Sequence, residues 1–144
     1  MLYQAMIPLN PKTKKNSQQI LYRKVNSRKG VYSRIRGGFR YLGIPFVSPS
    51  EAYHQYERDA GWFLRKPVEP INEPVNVKCY FYRDSDRRCD LTNLHEAIDD
   101  ILVKYKIVAD DNFKIIAGHD GSRVFVDKEN PRTEIYIESI SNYN

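Results

Sequence analysis

The chain has 144 residues and a formal net charge of +5, and 41% of its residues are hydrophobic and 12% aromatic. This composition excludes wholesale disorder and fits one compact domain with a hydrophobic core, spanning residues 1–144. No apolar run approaches the roughly 20 residues that a membrane-spanning helix needs, and the first residues lack the pattern of a signal peptide. We therefore expect a soluble, cytoplasmic protein with no membrane partner.

Basic residues are concentrated near the start of the chain. Residues 1–50 contain no Asp or Glu, so all 18 acidic residues follow them. The basic residues of this first third are Lys12, Lys14, Lys15, Arg23, Lys24, Arg28, Lys29, Arg34, Arg36 and Arg40. Like charges at this density repel one another unless a polyanion neutralises them, and DNA and RNA are the obvious polyanions. The alternative is a generic basic surface with no specific ligand.

The first third is predicted to be mainly strands. Residues 2–9 alternate as a strand does, and a polar loop and short strands follow, with a tight turn at Gly37-Gly38. Four aromatic residues interleave with the arginines there: Tyr22, Tyr32, Phe39 and Tyr41. Such a mixture suits a nucleic-acid surface on which bases stack, and it equally suits the inner face of a hairpin.

A helix is predicted over residues 48–66. Ser48 can cap it, Pro49 suits its first turn, and Glu51 completes a capping box. The apolar residues of this segment fall on one helical face: Tyr53, Tyr56, Ala60, Phe63 and Leu64. We expect that face to pack on a sheet.

The remaining elements complete the fold prediction. Val75 to Arg83 form a half-buried strand, a second helix begins at Leu91, and further strands follow within residues 113–140. Strands, a helix, a strand, a helix and more strands in this order predict an α+β (mixed α/β) domain, with a mixed sheet and two main helices packed against it.

The second helix carries an acidic face. Its apolar residues recur at helical spacing, and at about 100° per residue Thr92, Glu96 and Asp99 form a stripe on the opposite side. Asp100 lies further round the polar side, and Asp90 stands at the junction between strand and helix.

A metal site is one interpretation of these acids. A chain reversal after the helix would return Asp110 and Asp111 toward Asp90, so that two or three carboxylates meet. Hard divalent cations such as Mg²⁺ prefer oxygen ligands of this kind. The alternative is that Asp90 caps the helix and that the Asp110-Asp111 pair belongs to a turn.

The acidic segment resembles the RusA family of Holliday-junction resolvases, small endonucleases found mostly in phages and prophages. The matching residues are Asp90-Leu91-Thr92-Asn93, Asp100-Ile101-Leu102 and Asp110-Asp111, and Asp111 follows Asp90 at a separation of 21 residues. The proline-rich, basic opening "IPLNPKTKKN" is also similar to that of the family. The similarity of layout runs from about residue 3 to residue 140.

The resemblance implies a function and a set of roles. Family members are homodimers that use Mg²⁺ or Mn²⁺ to nick a four-way DNA junction symmetrically in recombination and repair, here in a bacterial or phage-infected host cell. The resemblance assigns Asp90 and Asp111 as catalytic metal ligands, with Asp110 in support. Asn93 would fix the helix start and Asp100 would position neighbouring groups.

The chain departs from the family pattern at two positions. Thr92 replaces the second Asp of the motif, and Glu96 stands where the family has a Lys. Glu96 lies one helical turn from Thr92, so we hypothesise that it replaces the missing metal-binding and catalytic carboxylate. The candidates to replace the missing Lys are Lys104, Arg87 and Arg88.

These observations favour a Mg²⁺-dependent junction endonuclease whose basic residues grip DNA phosphates. The predicted DNA-binding residues are Lys12, Lys14, Lys15, Arg23, Arg34, Arg36, Arg40 and Arg88. The alternatives are a non-catalytic or degenerate protein that binds branched DNA, and an interaction protein whose acidic helix binds a basic partner.

Overall fold

The structure, a computed structural model, describes residues 1–15, 18–24 and 30–140. Arg28, Lys29 and parts of the predicted polar loop lie outside these residues. The described helices and strands are β1 (Tyr3–Ile7), β2 (Gln18–Arg23), β3 (Val31–Ile35), β4 (Gly38–Pro49), α1 (Glu51–Ala60), a 3₁₀ helix (Gly61–Phe63), β5 (Val75–Arg83), α2 (Leu91–Lys104), β6 (Ile116–Gly118), β7 (Arg123–Val126) and β8 (Arg132–Ser139).

The larger sheet is mixed and has β5 near its centre. β8 pairs antiparallel with β5 and with β1, so it lies between them. On the other edge of β5, β6 and β7 both run parallel to it, β6 beside its start and β7 beside its end. Two helices and a mixed sheet confirm the predicted α+β fold.

One hydrophobic core joins the sheet to both helices. Along β5 the buried residues are every second one, Val75, Val77, Cys79 and Phe81, and each of them is 0% exposed. This period of two marks a strand with one buried face. In α1 the buried residues are Tyr53, Tyr56 and Ala60, as the helical spacing predicted. The helix ends at Ala60, earlier than the predicted residue 66, and of the two later residues assigned to this face Leu64 is buried whereas Phe63 is 44% exposed.

The first helix begins later than predicted. Ser48 and Pro49 belong to β4, and the N-cap of α1 is Ser50, whose hydroxyl accepts a hydrogen bond from the Tyr53 N–H at 3.3 Å. The predicted capping by Ser48 is therefore wrong. The cause is the pairing of β4 with β2, which continues to Pro49 and keeps the chain in the strand for two residues more before the helix can start.

The second helix begins at Leu91 as predicted and buries the expected side chains Leu94, Ile98, Ile101 and Leu102. Leu91 itself is 38% exposed, which differs from its assignment to the apolar face. After α2 the chain reverses at Lys106, which has a φ of 60°. The Lys106 N–H bonds Val103 O and the Ile107 N–H bonds Leu102 O, the pattern of a Schellman C-cap.

The smaller sheet is a hairpin arm. The long strand β4 pairs with β3 along its first half and with β2 along its second half. Ile35 pairs with Gly38, so Arg36 and Gly37 form the turn, one residue earlier than the predicted Gly37-Gly38. Gly37 has a φ of 90°, which favours glycine. Most side chains of this arm are exposed.

Within the described residues, no helix has the length and hydropathy that a membrane span requires.

We predict that Ser50→Ala lowers the free energy of unfolding by about 1 kcal/mol, because the α1 N-terminus loses its side-chain acceptor. The matched control is Ser48→Ala, since the Ser48 hydroxyl contacts only the adjacent Pro49 carbonyl among the described residues. Urea unfolding monitored by circular dichroism measures both. Equal losses in the two variants would contradict the assignment of Ser50 as the cap.

Candidate active site

A cavity of about 400 Å³ opens along the polar face of α2. It is lined by Leu91, Thr92, His95, Glu96, Asp99, Asp111 and His119. The predicted stripe of Thr92, Glu96 and Asp99 therefore faces one cavity. Its residues follow one another at intervals of four and three positions, which place side chains on one side of a helix.

Asp111 reaches the cavity from the loop between α2 and β6. Two polar side chains build this loop: the Asp110 carboxylate accepts the Asp111 N–H at 2.8 Å, and the Asn112 side-chain oxygen accepts the Lys114 N–H at 2.9 Å. The Asn112 side-chain amide also donates to Asp110 at 2.7 Å, and these bonds lower the pKa of Asp110. The Asp110 carboxylate is thus hydrogen-bonded within the turn, whereas Asp111 lines the cavity.

His119 enters the cavity directly after β6. The following residue, Asp120, is tied to β5 because its N–H donates to the Asn76 side-chain oxygen at 2.7 Å and its carbonyl accepts from the Asn76 amide at 3.1 Å. The Ser122 N–H also bonds His119 O at 3.2 Å. These bonds fix the loop that presents the imidazole.

Asp99 and His119 form a close pair. The His119 Nε2 lies 2.9 Å and 3.2 Å from the two carboxylate oxygens of Asp99. The Asp99 side chain is only 13% exposed. Burial raises the pKa of Asp99, and the bond to His119 opposes that rise, while the Asp111 carboxylate adds to it. Asp111 and Asp99 are therefore close enough to repel each other.

His95 is the most buried polar residue of the cavity, at 5% exposure. Its ring packs edge-on against Phe81, with centroids 5.2 Å apart, and lies over His119 at 3.9 Å. Neither ring nitrogen has a hydrogen-bond partner among the described residues. Burial lowers the pKa of His95 to about 3, with a smaller contribution from repulsion by His119, so the ring is neutral near pH 7.

Two lysines of the opening loop contact the acidic face of α2. The Lys14 ammonium pairs with Asp100, and the Lys15 ammonium lies 3.2 Å from the Glu96 carboxylate. Both had been predicted to grip DNA. The sequence could not indicate these pairs, because more than 80 positions separate the partners.

The predicted ligand Asp90 lies at the N-cap of α2. Its backbone oxygen accepts the N–H groups of Asn93 and Leu94, and its carboxylate accepts from the Asn93 side chain at 3.4 Å. Asn93 thus lies in the first turn of α2, and its side chain contacts the Asp90 carboxylate. The Asp90 side chain makes no capping bond, and it is not among the residues that line the cavity.

The other predicted basic residues occupy several surfaces. Lys12, Arg23, Arg34, Arg36, Arg40 and Arg88 are exposed. In the hairpin arm, cross-strand pairing places Tyr32 with Tyr41 and Arg34 with Phe39, so these four side chains share one face. Arg40 pairs with Ser33 and projects from the opposite face.

The candidates for the missing family lysine lie elsewhere. Lys104 pairs with Glu57 on α1, and the Arg87 carbonyl accepts a bond from Arg83. The described basic side chain that contacts Glu96 is Lys15.

Sequence reasoning did not identify His95 and His119 as site residues, and it gave Asp99 no role beyond the acidic stripe. One signal was present: His95 and Asp99 are four positions apart on a helix, a spacing that places both side chains on one face. The contribution of His119 required the fold, because the loop after β6 brings it to α2.

These elements define a mixed-sheet protein in which one helix presents carboxylates to a cavity and a separate hairpin arm carries exposed arginines. The family model for the endodeoxyribonuclease RusA matches residues 31–138. The chain therefore belongs to the RusA endodeoxyribonuclease family, which confirms the resemblance. Membership implies a hydrolase with Holliday-junction resolvase activity that acts on branched DNA. No curated protein matches the sequence.

All seven cavity residues lie within the matched segment. Lys14 and Lys15 precede it, so their contacts with α2 are an observation of this chain and not of the family match.

We predict that Asp110→Ala lowers the thermal unfolding midpoint more than Asp111→Ala does. The first substitution removes the acceptor of two hydrogen bonds that shape the loop, whereas the second removes a carboxylate that faces the cavity. Differential scanning calorimetry of the two variants measures the difference. A larger loss in Asp111→Ala would contradict the division of labour between the two residues.

Proposed function

We propose that the protein is a metal-dependent, structure-selective endodeoxyribonuclease that resolves Holliday junctions by paired symmetric nicks in DNA recombination and repair. One observation carries the proposal: carboxylates from α2 and from the following loop, Glu96 and Asp111, line the same cavity. Their separate origins in the chain argue against a merely solvated helix face, because the loop is folded so that Asp111 faces the helix.

The carboxylates that line the cavity, together with Asp90 beside it, suit a divalent cation. We assign Asp111, Glu96 and Asp90 as the residues that hold Mg²⁺ or Mn²⁺, with Asp110 supporting Asp111 through the turn. Asp90 immediately precedes Leu91 and Thr92, which line the cavity. A cation bound there would activate water and stabilise the negative charge that develops on the attacked phosphate. Thr92 supplies no carboxylate, and Glu96, four positions along the same face, compensates for it.

Lys15 is the proposed substitute for the family lysine. The family position is occupied by Glu96, and the Lys15 ammonium lies 3.2 Å from that carboxylate. The positive charge is thus supplied by the opening loop instead of by α2. Lys15 would orient Glu96 and attract a phosphate oxygen to the edge of the cavity. Lys14 and Asp100 hold the loop beside the helix.

The hairpin arm is the proposed DNA-binding surface. Arg34 shares a face with Tyr32, Phe39 and Tyr41, and Phe39 is 71% exposed. Guanidinium groups can bind phosphates while exposed rings pack against bases at the crossover of branched DNA, where stacking between the arms is interrupted. Other contacts to DNA are assigned to Lys12, Arg23, Arg36, Arg40 and Arg88, which are exposed.

A homodimer in the cytoplasm is the proposed working form. Paired nicks at a junction with two equivalent strands require two equivalent cavities, and a two-fold axis relates them most simply. One cavity in each chain meets that requirement.

We predict that Asp111→Asn and Asp90→Asn each reduce Mg²⁺-dependent cleavage of a synthetic four-way junction by at least about a hundredfold. Each change removes a negative charge while it keeps the shape of the side chain. Gel analysis of end-labelled strands measures cleavage, and an electrophoretic mobility shift in Ca²⁺ measures junction binding, which should persist.

The matched control is Glu129→Gln, which neutralises an exposed acidic residue in the loop between β7 and β8. If the wild type binds the junction with no metal-dependent nicks, the protein is a non-catalytic or degenerate branched-DNA-binding protein and the enzymatic proposal fails. If cleavage survives in Asp90→Asn alone, Asp90 is not a ligand.

We predict that Lys15→Met lowers the cleavage rate by about a hundredfold and that Lys15→Arg retains most of it, because a positive charge beside Glu96 is the required feature. Single-turnover kinetics at saturating protein separates this effect from DNA affinity. Lys12→Met is the matched control, since Lys12 precedes the loop contact with α2 and is exposed. Equal rates for Lys15→Met and Lys12→Met would show that Lys15 serves only general phosphate attraction.

A further inference from the structure

We propose that His95, Asp99 and His119 form a binding site for a first-row transition-metal ion, of the class of Co²⁺ or Zn²⁺, on the inner wall of the cavity. The assignment deepens the proposed function, on which it rests for the catalytic use of the ion. It differs from the carboxylate set Asp90, Glu96 and Asp111 because two of its three donors are imidazole nitrogens.

The donor atoms are already close to one another. One donor atom from each of His95, Asp99 and His119 lies within 4.8 Å of the other two. Metal–ligand bonds of about 2.0–2.2 Å in a tetrahedral site hold neighbouring donor atoms about 3.3 Å apart. The His119 Nε2 already lies 2.9 Å and 3.2 Å from the Asp99 oxygens. An ion could therefore replace the shared proton after a small separation of the two side chains.

His95 supplies the independent observation that a ligand belongs here. It is 5% exposed, and neither ring nitrogen has a hydrogen-bond partner among the described residues. A buried polar nitrogen without a partner costs free energy, so native proteins rarely keep one. The ring is enclosed by Phe81 and His119, and it lines the cavity. An ion in the cavity would satisfy one nitrogen.

The chemistry of the donors selects the kind of ion. Imidazole nitrogens suit transition metals, whereas Mg²⁺ and Ca²⁺ prefer oxygen ligands. Glu96 and Asp111 line the same cavity and can add oxygen donors. The arrangement thus combines an inner wall rich in nitrogen with an outer rim of carboxylates, and we expect the inner wall to discriminate against Mg²⁺.

The test uses untagged, metal-free, full-length protein titrated with Co²⁺ alone, with no DNA present. We expect visible absorption bands from Co²⁺ bound to nitrogen donors and one Co²⁺ ion per chain that a large excess of Mg²⁺ does not displace. His119→Gln and Asp99→Asn should each weaken Co²⁺ binding by at least about tenfold, since even partners outside the first coordination shell are worth that much.

The matched control is His54→Gln. The chain has three histidines, and His54 lies on α1 against Tyr53, outside the cavity. His54→Gln should bind Co²⁺ as the wild type does. His95→Gln tests the third ligand, and circular dichroism establishes that it is folded. If it does not fold, NMR spectra of the wild type replace it. Co²⁺-induced shifts of both the His95 and the His119 ring protons support the site, and unshifted His95 protons contradict it.

The outcomes separate this site from the proposed function. If Co²⁺ binding is equal in wild type and His119→Gln, or if Mg²⁺ displaces Co²⁺ at comparable concentration, the His95–Asp99–His119 site is wrong, even where Asp111-dependent cleavage in Mg²⁺ supports the nuclease. If Co²⁺ binds through these residues and no metal supports cleavage of any junction, the site stands and the nuclease proposal fails.

Discussion

The burial of one face of α2 against the central strand determines where the chemistry of this protein can lie. Leu94, Ile98, Ile101 and Leu102 are at most 1% exposed. A rotation of the helix by one residue, about 100°, would bring polar side chains into the core and expose apolar ones. The core therefore holds the helix in a single rotational setting, and in that setting the stripe that begins at Thr92 must face the cavity.

The remaining cavity residues depend on loops that are fixed by side-chain bonds to the backbone. Asp110 and Asn112 fold the loop after α2, and Asn76 anchors the loop after β6 to β5. In each case a polar side chain that does not line the cavity bonds the backbone of the loop. Asp111 and His119 are left to face the cavity. This division explains why the acidic pair Asp110-Asp111 contributes two different functions to the site.

The regular spacing of apolar residues made β5 and α2 predictable from the sequence. The site was only partly predictable, because its residues come from distant parts of the chain. β5 has a burial period of two and α2 a continuous apolar stripe, and both were located correctly from the sequence. Ser48 and Ser50 flank one proline, so local chemistry could not decide which caps α1. His119 and Lys15 reach the cavity through the fold alone, because each contacts a residue at least 20 positions away.

Under the proposed function, the charges at the cavity determine the order in which a cation and a DNA phosphate bind. Three carboxylates, Glu96, Asp99 and Asp111, line it, and the Lys15 ammonium contacts one of them. A DNA phosphate that approached this surface without further cations would meet excess negative charge in a partly buried setting, where repulsion is weakly screened. Lys15 alone does not offset it. Under the proposed function a cation therefore binds before the phosphate does, and the hairpin arm is the surface assigned to hold DNA before that cation is present.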